Sequence, residues 1–145
     1  MAAIIDIADA VVAELNDHAF SQAVTAQRLY RPVFELPDMK TLHVSVVPKG
    51  VEMQGASRTL IQHDYQIDVG VQKKLPTSPS GDNAEIDTLM ALVEEVADFF
   101  RQRRLQAMPN VVWVKTENQP VYSPEHLEQL RQFTSVLTLT FRVLR

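Results

Sequence analysis

Ser57–Gln72 reads SRTLIQHDYQIDVGVQ. Its odd positions include Ile61, His63, Tyr65, Ile67, Val69 and Val71. Its even positions include Arg58, Gln62, Asp64, Gln66, Asp68 and Gln72, with Leu60 and Gly70 as exceptions. Successive side chains of a strand point to opposite faces, so this alternation predicts a strand with one apolar face and one wet face. At ~3.3 Å per residue it would reach roughly 50 Å, long for a small domain. Such length hints at a strand that projects into a hairpin or towards a neighbour.

The stretch Phe133–Arg145, FTSVLTLTFRVLR, has the same period. Phe133, Leu137, Leu139, Phe141 and Val143 fall on one face, and Thr134, Thr138, Thr140 and Arg142 on the other. Two long strands, each with one wet face, predict an antiparallel sheet covered on one side only.

Helical spacing surrounds these strands. Ile4, Ile5, Ala8, Val11, Val12 and Leu15 predict an amphipathic helix over Ile4–Asn16, with Asp6, Asp9 and Glu14 towards water. Asp82-Asn83-Ala84-Glu85 has the form of a capping box. The helix after it is expected to run to about Leu105, with Ile86, Leu89, Met90, Val93, Val96, Phe99 and Phe100 as its apolar stripe. Arg101, Arg103 and Arg104 then complement the negative end of its dipole. Ser123-Pro124-Glu125 predicts a capped short helix to about Leu130. Thr25–Leu36 reads as extended, with Pro32 placing it at an edge or bulge, and Pro37-Asp38 as a turn. Leu42, Val44 and Val46 predict a strand ending at Pro48-Lys49-Gly50, and Val111–Val114 a short strand. The order predicts one α+β domain over residues 1–145, with helices packed on one face of a mainly antiparallel sheet.

Residue types limit the chemistry. The chain has 145 residues, enough for one core without staples, and no cysteine for disulfides or thiolate chemistry. Its net charge of −4 argues against a general nucleic-acid clamp. MAAIIDIADAVV carries Asp6 and Asp9 without a basic start, so neither a signal peptide nor a membrane span is expected there. His63 lies on the apolar strand face, with Asp64 on the other, so the two form no dyad. It is expected in the core or at an interface. His18 and His126 lie at helix ends and His43 on a strand, and no two have metal-ligand spacing. Ser78-Pro79-Ser80-Gly81 lacks the flanking glycines of a nucleophile elbow. Glu94 and Glu95 point about 100° apart on a helix and read as a solvated face. Asp38-Met39-Lys40 has the acid-x-Lys form but sits in a turn. No catalytic, cofactor or metal residue is assigned.

Three blocks carry a resemblance: HDYQIDVGVQKKL at His63–Leu75, LVEEVADFFRQRRL at Leu92–Leu105, and RQFTSVLTLTFRV at Arg131–Val143. In order and spacing they resemble small phage and prophage proteins of the tail terminator, or tail completion, type. The resemblance implies an α+β subunit without enzymatic activity. It implies a ring, typically of six, that caps the tail tube and joins it to the head connector. The protein would then belong to the virion tail, after assembly in the host bacterial cytoplasm. Partners would be further copies, tail-tube and connector proteins, and double-stranded DNA in passage, with no membrane and no cofactor. Head-completion or neck proteins are the neighbouring class; a small cytoplasmic enzyme or binding module is the reading outside it.

Within that resemblance, the wet face carrying Arg58, Gln62, Asp64, Gln66, Asp68 and Gln72 is a candidate channel lining. An ordinary solvated sheet face has the same pattern. Leu75–Asn83, with Thr77, Ser78, Pro79, Ser80 and Gly81, is a candidate assembly loop, short on groups to bury.

Overall fold

A computed structural model describes residues 2–30, 41–75 and 82–145. In chain order the elements are α1 (Ala3–Asp17), β1 (Ala26–Arg28), β2 (His43–Gly55), β3 (Ile61–Lys74), α2 (Asp82–Phe100), β4 (Arg104–Leu105), β5 (Met108–Glu117), α3 (Pro124–Leu130) and β6 (Gln132–Leu144). Among the described residues the strands form one sheet in the order β1-β2-β3-β6-β5-β4. β1 pairs parallel with β2; the other pairings are antiparallel. The fold is therefore α+β with a mainly antiparallel sheet, as the alternation predicts.

β3 lies between β2 and β6, and the registers define the faces. Val71, Val69 and Ile67 stand opposite Val44, Val46 and Pro48 on one side. Tyr65, Ile67 and Val69 stand opposite Phe141, Leu139 and Leu137 on the other. Directly opposed residues share a face, so these side chains make one apolar surface. α1 lays Ile7, Val11 and Leu15 on it, and α2 lays Leu89, Val93, Val96 and Phe100. Each large apolar side chain removed from water contributes about 1.5–3 kcal/mol, which makes this layer the main stabilising contact.

α1 also touches the segment that follows α2. Glu14 is buried and accepts hydrogen bonds from Arg103 Nε (3.1 Å) and the Gln106 backbone N–H (2.8 Å). Arg103 lies over the Phe99 ring, 3.9 Å from its centroid. Glu14 was expected to face water and Arg103 to serve the helix dipole. Instead each supplies the charge that the other's burial requires. α2 ends at Phe100 rather than near Leu105, because Arg104 and Leu105 leave to form β4. Glu85, expected to reach back to the cap, pairs with Lys73 on β3.

β1 is short and held by side chains as well as by its strand pairing. Asn16 Oδ1 accepts from Ala26 N at 2.7 Å, its Nδ2 donates to Ala26 O at 3.2 Å, and Arg28 pairs with Asp9. Residues 31–40 lie outside the described residues. They include Pro32, the Pro37-Asp38 turn and Asp38-Met39-Lys40.

β2 departs most from expectation. Pro48-Lys49-Gly50 does not end it. The register steps between Pro48 and Gly50, so Lys49 is the extra residue of a bulge. Beyond Leu29, which still donates to Val46 O, the outer edge of β2 has no strand partner among the described residues, so a proline lacking its N–H costs no ladder bond there. Before the bulge the core-facing residues are the even-numbered Val44 and Val46. After it they are the odd-numbered Val51 and Met53, opposite Tyr65 and His63. β3 starts at Ile61, and residues 57–60 form the hairpin turn. There Ser57 Oγ accepts from Leu60 N at 3.1 Å, and Ala56 N donates to Leu60 O at 3.1 Å.

α3 matches its sequence signals. Ser123 Oγ accepts from His126 N, Pro124 occupies the first turn, and the helix stops at Arg131 in a left-handed conformation, φ 48°. It caps the start of β6, where Ser123 N donates to Thr134 O at 2.9 Å.

Candidate functional site

The sheet face turned away from α1 and α2 is the candidate surface. Its middle is built by Gln62, Asp64, Gln66 and Asp68 of β3 with Thr138, Thr140, Arg142 and Leu144 of β6 opposite them. Glu52 and Gln54 of β2 extend it on one side, and Val112, Lys115 and Glu117 of β5 on the other. Most of its charges are paired locally. Arg142 donates twice to Asp64, from Nε to Oδ1 at 2.9 Å and from Nη2 to Oδ2 at 3.1 Å. Those hydrogen bonds hold the Asp64 carboxyl below the usual carboxylate range and keep Arg142 above its usual value. Thr138 Oγ1 donates to Asp68 Oδ1 at 2.7 Å, and Lys115 pairs with Glu117 at 3.2 Å. The result is a hydrophilic wall of amides, hydroxyls and compensated charges, with Asp68 and Glu52 as carboxylates outside any ion pair among the described residues.

Four of the six expected residues therefore sit together: Gln62, Asp64, Gln66 and Asp68, each half-buried on this face. Two do not join them. Gln72 is 1% exposed, at the end of the face where Ser45 and Thr134 are also buried. Arg58 is in the hairpin turn, exposed and off the strand. The expected loop Thr77, Ser78, Pro79, Ser80 and Gly81 lies outside the described residues.

The histidines stand apart from one another. His63 is buried and stacks with Tyr65, centroids 6.0 Å apart and planes at 13°. His18 follows α1 and sits between Phe20 and Phe99, 4.6 and 4.4 Å from their centroids. His126 Nδ1 is 2.9 Å from Thr134 Oγ1, and His43 Nε2 is 3.4 Å from Thr41 Oγ1. Glu94 is exposed, while Glu95 is half-buried and accepts from the Ser21 backbone N–H at 3.0 Å. Among the described residues no three His, Asp or Glu side chains are grouped to hold a metal ion, and no helix is long and apolar enough to cross a membrane.

Two further surfaces lie outside the expected set. The first is the hairpin arm: residues 51–61 are all exposed, and Val51, Met53 and Ile61 share one face of it. The alternation in VEMQG carried that signal, masked by the turn chemistry of Pro48-Lys49-Gly50. The second is a cleft of about 730 Å³ between α2 and β5. Met90, Ala97, Trp113, Val121 and Leu137 give it an apolar floor, and Asp87, Glu94 and Asp98 line its α2 side.

No protein-family model matches the chain, and no curated protein matches it.

Proposed function

We propose that this chain is a structural subunit of a phage or prophage tail, of the tail terminator type. It assembles into a ring, of six copies by the resemblance, that caps the tail tube and joins it to the head. The observation that carries the reading is the polar face spanning β2, β3, β6 and β5, opposite the helices. A sheet wetted on one side by amides, hydroxyls and paired charges suits the wall of a water-filled conduit for DNA. It offers phosphates no clustered cations to hold them. The exposed apolar face of the β2–β3 hairpin supports the same reading, since ring subunits need surfaces that complement one another more than they need a pocket.

The test is assembly. The purified chain is examined over a concentration series by light scattering and electron microscopy, alone and with tail tubes from the phage that encodes it. Rings with a central opening, or caps on tube ends, are expected. A chain that stays monomeric at every concentration and leaves tube ends bare would overturn the reading.

A further inference from the structure

We propose that the β2–β3 arm of one copy seats in the α2–β5 cleft of the next, joining subunits head to tail. This rests on reading the chain as a self-associating subunit, and it names the two surfaces that meet.

The arm is held to β6 along its β3 side, as far as the paired Ile61 and Arg145 backbones, yet it leaves large apolar side chains exposed. Val51 is 48% exposed, Met53 62%, Ile61 46% and Leu60, at the turn, 41%. Scattered apolar residues on a surface need no account, but these share one hairpin, and three of them share one face of it. The outer edge of β2 beyond Val46 also has no strand partner among the described residues. An apolar hairpin with an open edge invites pairing with another chain.

The cleft has the complementary features. Its floor is apolar, and its volume of about 730 Å³ accommodates several side chains of the size of Met and Ile. It runs beside β5, whose outer edge has no strand partner beyond Val112 among the described residues. Charge complements charge as well. Asp87, Glu94 and Asp98 follow one another at seven and four residues along α2, so they share a face, and none is in an ion pair among the described residues. Arg58, at the tip of the arm, is the cation they would meet. Arg101 and Lys115 also line the cleft, and Lys115 is already paired with Glu117.

Sheet order makes the contact intermolecular. β3 and β6 stand between β2 and β5, so three strand spacings, roughly 14 Å, separate the arm's edge from the cleft's edge within one chain. Because arm and cleft are different surfaces, the contact is heterologous, and repeating it closes a ring when the rotation allows. An arm of eleven exposed residues is smaller than the ~20–30 residues a side of a standard stable interface. Each joint is therefore weak alone, and ring closure supplies the cooperativity.

The chain's lack of cysteine makes the test direct. Met53→Cys and Ala91→Cys, both at exposed positions, are combined in one chain and treated with a short bis-maleimide across a concentration series followed by light scattering. A ladder of covalent multimers is expected, whereas a mixture of the two single variants should stop at dimers. Arg58→Glu should weaken the ladder about tenfold, and adding Glu94→Arg to that variant should restore it. Leu144→Cys with Ala91→Cys reports random collision and should give no ladder. Association without the Met53–Ala91 ladder overturns the proposal and leaves a ring built through other surfaces. So does a ladder no stronger than the Leu144 control, or one indifferent to Arg58→Glu. Absence of both association and ladder overturns this proposal and the ring reading together.

Discussion

Asp64 on β3 and Arg142 on β6 stand directly opposite each other, and their side chains meet at two points, 2.9 and 3.1 Å apart. The pair clamps two long strands together on the face turned away from α1 and α2. Two parallel N–H···O bonds fix the guanidinium plane as well as its position, which a lysine would not do.

The pH dependence of that clamp has a definite sign. The Asp64 carboxyl is held low by the hydrogen bonds from Arg142. Its contribution is therefore complete above the unfolded value of about 3.9, and is lost as pH falls through the lower folded value. Asp64→Asn should lower stability at pH 7 by up to about 1 kcal/mol, since both side chains are partly solvated. Urea midpoints for the two proteins should converge as pH drops below about 4. A gap that stays constant to pH 2 would show that the charge is irrelevant.

Glu14 tests the contact between α1 and the segment that follows α2. Glu14→Ala leaves the half-buried Arg103 and the Gln106 N–H without their acceptor, and should cost about 1 kcal/mol. Glu14→Gln keeps an acceptor and should cost less. The order of the two in chemical denaturation is the check.

Gly70 tests close packing between β2 and β3. A Cβ built there would lie 2.9 Å from Ser45 Oγ. Swinging Ser45 Oγ to another χ1 rotamer relieves Gly70→Ala, so that change should be mild. Gly70→Val adds bulk that no hydroxyl rotation accommodates, and should cost about 1–3 kcal/mol. Thermal melts of the two variants should separate clearly.

The conduit reading is tested on the same wall. Gln66→Lys with Asp68→Lys adds cations beside the Asp64–Arg142 clamp without breaking it. Subunits should still fold and assemble, but DNA release from particles should slow as phosphates are held in passage. Release at the unmodified rate would remove this face from the channel.

Much of this was legible in the sequence because a period of two needs no partner to be read. The alternation in Ile61–Lys74 and in Gln132–Leu144 gives each strand its faces. It does not say that Asp64 will stand opposite Arg142, because register is a relation between segments about 78 residues apart. Glu14 was misread for the same reason: its partner Arg103 is 89 positions away. Gln72 keeps the polar parity of its strand, yet it is buried where Ser45 and Thr134 crowd the end of the sheet. Local signals that need no distant partner, such as Ser123-Pro124 at the head of α3, were read correctly.

The bulge at Lys49 has a consequence for how such a protein changes over time. Because the bulge takes up one residue without shifting the pairing on either side, the facing of the arm is insulated from a change of length at that point. Losing Lys49 would leave Pro48 opposite Ile67 and Gly50 opposite Gln66 in an unbroken ladder, so Val51 and Met53 would keep their face and only the local bend would go. A lineage could thus gain or lose this residue, and with it the bend of the arm, while the joining surface and the core strands behind Pro48 kept their facing.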